Sequence, residues 1–249
     1  MSEYIETRLE DGVLRVRFNR PEKKNAITIE MYEALIAAFD KAASDDAVRV
    51  LLLEGSDDIF SAGNDLSSFA APRPTDGDGK VASHRLMEAA ATAPKPLVAA
   101  VSGGAVGIGA TLLLHFDFIY ADETAFFLMP FTDLATVPEA GASLILPQRF
   151  GRQIAAEFLL LSDRITAQRA YDMGLVNAVV RDGNVRGHAF AVAQRLAQKP
   201  PMAMKMTKAL MTGDTKPMLA HIDEEMRQFA ERVASDEMQQ IVAQRMMKK

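Results

Sequence analysis

Glu139, in Thr136-Val137-Pro138-Glu139-Ala140-Gly141, is the carboxylate of this chain best placed for proton chemistry. Two glycine segments precede it: Phe60-Ser61-Ala62-Gly63-Asn64-Asp65-Leu66 and Ser102-Gly103-Gly104-Ala105-Val106-Gly107-Ile108-Gly109. Gly63 and Gly107 each follow a predicted strand, where a chain turning into a helix leaves its first N–H groups unpaired and pointing outward. Two such turns can form an oxyanion hole. Donors fixed before negative charge develops on a carbonyl oxygen are effective, and losing one typically costs about 3 kcal/mol. One base beside one oxyanion site predicts relocation of a proton. The flanking Phe131, Leu134, Val137 and Ala140 imply apolar surroundings, which suit a buried carboxylate to act as a base.

Each of these features has a plainer explanation. Glycine's conformational freedom accounts for either turn alone, and a glutamate after Val137-Pro138 can simply favour the first turn of a helix. Only the joint occurrence of both turns with Glu139 favours chemistry. Gly104 to Gly109 also invites a dinucleotide-binding reading, but the third glycine position counted from Gly107 holds Leu112, and the segment lies mid-chain. Ser102, His115 and Asp117 do not make a nucleophile elbow, because Ala100 stands where that pattern needs glycine. The four histidines, His84, His115, His188 and His221, have no metal-ligand spacing, so no metal site is predicted. Met202, Met204, Met206 and Met211 are expected to pack in a core or a subunit interface. Lys199, Lys205, Lys208, Arg245, Lys248 and Lys249 could meet phosphates, with solvated surface as the expectation for each.

Composition narrows the classes further. A chain of 249 residues, 49% of them hydrophobic, can bury a full core. Its formal charge of −5 gives no overall electrostatic reason to bind nucleic acid. The lack of cysteine removes disulfides, thiolate nucleophiles and thiolate metal sites. Met1-Ser2-Glu3-Tyr4 does not begin a secretory signal, Met246-Met247-Lys248-Lys249 is not a peroxisomal address, and no apolar run is long enough to span a membrane; the expected location is cytoplasmic.

Alternation of apolar and polar residues over 4–9 and 13–18, around Asp11-Gly12, predicts a β-hairpin. Thr28 can cap a helix whose apolar positions are Met31, Leu35, Phe39 and Ala42, and Val48 to Leu53 follows as a buried strand. A second round places a helix near 80–92, a strand at Leu97–Val101, a helix near 107–115 and a strand at Asp117–Ala121. Repeated strand–helix–strand units predict parallel strands covered by helices. Ala70 to Lys80, with Pro72, Pro74, Gly77 and Gly79, is expected to form a loop that could act as a lid. A helix from Thr166 should stop at Gly174, a short strand is expected at Val176–Val180, and helices near 184–198, 201–212 and 216–247 complete the chain. Their apolar faces predict a homo-oligomer.

Asn19-Arg20-Pro21-Glu22-Lys23-Lys24-Asn25-Ala26, Ser61-Ala62-Gly63-Asn64-Asp65-Leu66, the Gly103 to Gly109 segment and Gly174-Leu175-Val176 together resemble the crotonase (enoyl-CoA hydratase/isomerase) superfamily. The resemblance implies an α/β fold with a ββα spiral core, here residues 1–195, followed by a helical oligomerisation region over 196–249. It implies trimers or dimers of trimers and coenzyme A thioester substrates, with coenzyme A belonging to the substrate and no separate cofactor. It makes the backbone N–H groups of Asn64 and Ile108 the oxyanion donors and sets the Lys24 to Ala26 turn near the coenzyme A adenine. Ala62, Gly63, Asp65, Leu66, Gly107 and Phe131 become substrate-contacting positions. The hydratase branch has two glutamates where this chain has Thr111 and Phe131. The combination of Pro130-Phe131 and Pro138-Glu139 is most similar to the peroxisomal-type Δ3,Δ2-enoyl-CoA isomerases, whose catalytic glutamate falls where Glu139 stands. Another crotonase reaction, or a non-catalytic binding role, remains the alternative.

Overall fold

A computed structural model describes residues 2–69, 74–77 and 79–247, with the side chains of 246 and 247 omitted. The hairpin forms as expected: β1 (Ile5–Glu10) and β2 (Val13–Phe18) pair antiparallel, with Asp11 and Gly12 both at positive φ between them. Strand β2 then opens a parallel run through β3 (Val50–Glu54), β5 (Leu97–Val101), β7 (Phe118–Asp122) and β10 (Ala178–Val180), giving a sheet ordered β1-β2-β3-β5-β7-β10.

The residues alone did not predict a second sheet. Short strands β4 (Ile59–Ser61), β6 (Gly104–Val106), β8 (Phe126–Leu128) and β9 (Ile165–Thr166) pair in that order, the first three parallel and β9 antiparallel. The first three each follow a main-sheet strand after a few residues: β3 leads to β4, β5 to β6, and β7 to β8. Three-residue strands are too short to show an alternating pattern. The strand–strand–helix repeat agrees with the spiral implied by resemblance.

Helix α1 (Ile29–Ser44) starts where the Thr28 side chain accepts a hydrogen bond from the Met31 amide at 3.3 Å, and it buries Met31, Leu35, Phe39 and Ala42. Helix α2 (Ala82–Ala91) packs beside it. Side-chain alternation divides β3 between two cores: Leu51 and Leu53 face α1, whereas Val50 and Leu52 face α7 (Val185–Ala197) through Val185, Ala189 and Ala193. The helix expected over 107–115 is a single turn, α3 (Ile108–Thr111), that tightens into a 3-10 segment ending at His115. Helices α4 (Ala142–Phe150), α5 (Arg152–Leu159) and α6 (Ala167–Asp172) follow, the last capped by Thr166 and succeeded by Gly174 at φ 83°.

The C-terminal helices are α8 (Pro201–Thr212), α9 (Lys216–Val233) and α10 (Asp236–Met247). The one helix expected over 216–247 is broken at Ala234-Ser235, where the Ser235 hydroxyl bonds back to the Arg232 carbonyl and accepts from the Met238 amide, capping α10. Lys208 on α8 is a correction to the expected solvated surface. It is 8% exposed, and its ammonium donates to Asp117 Oδ2 at 2.7 Å and to the Lys95 carbonyl at 2.8 Å. That pair ties α8 to the starts of β5 and β7. The opposite face leaves Met202, Met206, Leu210 and Met211 exposed. Part of the expected Ala70–Lys80 loop, including Pro72, lies outside the described residues; the Asp76 amide donates to the Lys80 carbonyl. Lys248 and Lys249 lie outside them too.

Candidate active site

The Lys24–Ala26 turn is fixed by Asn25, whose fully buried amide donates to Ser56 Oγ and to the carbonyls of Ile59 and Phe60, each at 3.0 Å. Lys24 and Asn25 both take left-handed backbone angles. The turn then binds the segment after β4: the Ala62 amide donates to the Lys24 carbonyl, the Ile27 amide to the Gly63 carbonyl, and the Asp65 amide to the Ile27 carbonyl. Ser61 Oγ donates to the Asn25 carbonyl and accepts from the Gly63 amide. Arg20 reaches across to Asp65 at 2.7 Å and to the Ala26 carbonyl at 2.9 Å. Burial pushes the Asp65 carboxyl up, but the bonds from Arg20 and Ser67 outweigh it and hold the group below the usual carboxylate range.

Gly63 has φ 82° and Gly107 has φ 55°, conformations available at little strain to glycine. The two turns touch. A Cβ on Gly63 would stand 2.6 Å from the Val106 carbonyl oxygen. Ile108 is the first residue of α3, so its amide has no partner within the helix. The Asn64 side chain accepts from the Tyr32 hydroxyl at 2.7 Å, fixing that turn against α1.

Glu139 is 1% exposed and lines a cavity of about 150 Å³ together with Ala62, Gly63, Asn64 and Gly107. Leu66, Phe69, Val106, Pro130, Phe131 and Leu134 supply apolar walls. Among the described lining residues Glu139 is the one carboxylate. Of the sequence-predicted positions, Ile108 adjoins the cavity through Gly107, while Lys24, Ala26 and Asp65 form the supporting turn beside it. Asp133, the carboxylate nearest to Glu139 in sequence, is exposed. The hydrolase alternative is not assembled: Asp117 accepts from the Leu97 amide and Lys208, whereas His115 Nε2 bonds the Ala140 carbonyl at 2.8 Å. Loss of solvation lowers the His115 pKa to about 4 and keeps the ring neutral, so Nε2–H donates to that carbonyl.

Sequence reasoning pointed to the C-terminal helices as pocket walls without singling out Phe229 or Met238. Phe229 on α9 and Met238 and Arg245 on α10 reach the same cavity, and Arg245 donates to the Asp133 carbonyl at 3.2 Å. Helical spacing marks Phe229 and Met238 as buried without saying against what. Among the described residues no helix is long and apolar enough to cross a membrane.

The chain is similar to proteins and structures already known. Enoyl-CoA delta isomerase 2 of Rattus norvegicus is 37% identical over 220 residues; these cover 87% of this chain and 56% of that protein, so the chain spans little more than half its length. The structure of Pseudomonas aeruginosa OdaA superposes with a TM-score of 0.92 at 40% identity, covering 98% of this chain and 99% of OdaA. An enoyl-CoA hydratase/isomerase from Pseudoalteromonas atlantica gives 0.93 at 35% identity, covering 99% and 98%. The enoyl-CoA hydratase/isomerase family model matches residues 8–247, from the first strand to the last helix, and the chain therefore belongs to the enoyl-CoA hydratase/isomerase family.

Proposed function

We propose that the protein is an enoyl-CoA isomerase that moves a double bond from the 3,4 to the 2,3 position of an acyl-CoA thioester. The observation that carries this reading is the buried Glu139, the one carboxylate among the described residues of a cavity floored by the Gly63 and Gly107 turns. Glu139 takes a proton from C2. The C2–H electrons form a C1=C2 bond as the carbonyl electrons move onto oxygen, giving a dienolate conjugated with C3=C4, and the amides of Asn64 and Ile108 hold its oxygen. Protonated Glu139 then delivers the proton to C4 as the electrons return, leaving a C2=C3 bond. One carboxyl group serves both carbons, and no water is consumed.

The absence of a carboxylate at Thr111 and Phe131 favours isomerisation over hydration, since water addition needs both activation of water and protonation of carbon. The Lys24–Ala26 turn would lie beside the coenzyme A adenine. The exposed α8 face would pack against other copies in a trimer or dimer of trimers. Incubation with a 3-enoyl-CoA and a 2-enoyl-CoA in D₂O tests the chemistry. The expected result is reversible isomerisation with deuterium at C2 and C4; hydration as the sole reaction would overturn it.

A further inference from the structure

The peptide joining Ala140 to Gly141, the first after the Glu139–Ala140 linkage, is gripped at both ends by side chains distant in sequence. Its carbonyl accepts from His115 Nε2 at 2.8 Å, and its N–H donates to Glu225 Oε2 at 2.6 Å. His115 closes the 3-10 segment after α3, whereas Glu225 lies on α9. Glu225 is 6% exposed, and its other oxygen accepts from the Ser143 amide at 2.9 Å and from the Ser143 hydroxyl. Gly141 is the N-cap of α4 and has no side chain to bond the first-turn amides, so a carboxylate 84 residues onward does so. His221, one turn before Glu225, bonds Ser143 Oγ at 2.8 Å.

The backbone at this point is unusual. Ala140 has φ 62° and Gly141 has φ 72°, two successive left-handed residues, the first with a Cβ. A strained residue beside a buried carboxylate persists only when its surroundings over-determine it. Neither grip touches the cavity lining. Helix formation by α4 alone would not require Ala140 to adopt this conformation.

We propose that His115 and Glu225 are positioning residues that set the direction of the Glu139 carboxylate by holding the Ala140–Gly141 peptide. The C-terminal helix α9 thereby takes part in chemistry through its backbone hold on the base. This inference rests on the isomerase reading for its kinetic test, but not for its structural one.

Glu225→Gln keeps the side-chain volume but offers one acceptor oxygen in place of two. His115→Leu removes the donor to the Ala140 carbonyl, and His115→Gln restores one. Glu225→Gln and His115→Leu are each expected to bind a saturated acyl-CoA within about twofold of wild type and to lose tenfold or more in kcat, while His115→Gln keeps most of it. A purely structural role would instead make activity follow Tm. Crystal structures of Glu225→Gln and His115→Leu supply a readout independent of turnover, with the Glu139 carboxylate displaced or disordered while Gly63 and Gly107 stay in place. Unchanged kcat with an unmoved Glu139 overturns the proposal. Wild-type protein that neither isomerises nor exchanges C2 protons would defeat the isomerase reading, and the Glu139 position in the variant crystals would still decide this one.

Discussion

Gly63 sits so close to the Val106 carbonyl that a methyl group on its Cα would approach that oxygen to 2.6 Å. The contact joins the two turns that supply the candidate oxyanion amides, so their separation is fixed by packing as well as by hydrogen bonds. Gly63→Ala must move one backbone against the other and also place alanine at φ 82°. Left-handed strain alone is worth about 1–3 kcal/mol. Gly183→Ala, at φ 72° with no atom within 4 Å of the added carbon, isolates that strain. Urea denaturation should show a larger loss for Gly63→Ala, and only this variant should abolish turnover. Equal losses would mean that the contact between the turns has no consequence.

Glu139→Gln should fold and bind acyl-CoA while losing about 10²- to 10⁴-fold in kcat, the usual range for a general base. The side chain is enclosed and isosteric with glutamine, so binding acts as the internal control. Isomerisation at the wild-type rate would move the base elsewhere.

The fold should weaken in acid because of His115. Its pKa lies at about 4 in the folded protein against an ordinary 6.5, so between those values the unfolded chain binds a proton that the native ring refuses. Stability then falls as pH drops from 6.5 towards 4, by at most about 3 kcal/mol from this group. His115→Gln retains a donor for the Ala140 carbonyl and removes the titration. Its urea midpoint should vary less than that of wild type across this interval; parallel curves would show that other groups govern the acid limb.

Lys208 is buried and Asp117 partly so, and removing one partner leaves the other without its counter-charge. Lys208→Met is expected to cost less than the roughly 3–5 kcal/mol of a fully buried pair. Asp117 also accepts from the Leu97 amide, so Asp117→Leu should be at least as damaging. Chemical denaturation of both variants and of the double variant measures the coupling, and additive losses would argue against a direct pair.

Met202, Met206 and Leu210 recur every four residues along α8 and are 67%, 59% and 84% exposed. If this face packs against other copies, Met206→Glu with Leu210→Glu should lower the mass seen by analytical ultracentrifugation. A monomeric wild-type protein would remove the premise.

Elements with long periodic signals were readable in advance. The Asp11-Gly12 hairpin, the Thr28-capped α1 and the parallel order through β3, β5 and β7 follow from spacing and turn chemistry. The second sheet was not, because β4, β6 and β8 are each only three residues long. In the candidate site, Glu139 and the two glycine turns stood out by residue type. Phe229, Met238 and Glu225 did not, since an apolar residue or a carboxylate on an amphipathic helix carries no sign of which distant backbone it will meet. Lys208 was misread for the same reason: its partner lies 91 residues away.

Strands β4 and β6 are parallel neighbours, with Ser61 opposite Ala105, and each ends at one of the glycine turns. The interval between the two candidate donor amides is thus inherited from a hydrogen-bonded ladder whose two strands lie about 4.8 Å apart. Phe69, Phe229 and Met238 belong to no such ladder and enclose the opposite side. Volume-conserving changes at those three buried positions should therefore reshape that wall without altering the spacing of the two turns, which is set in a different part of the molecule.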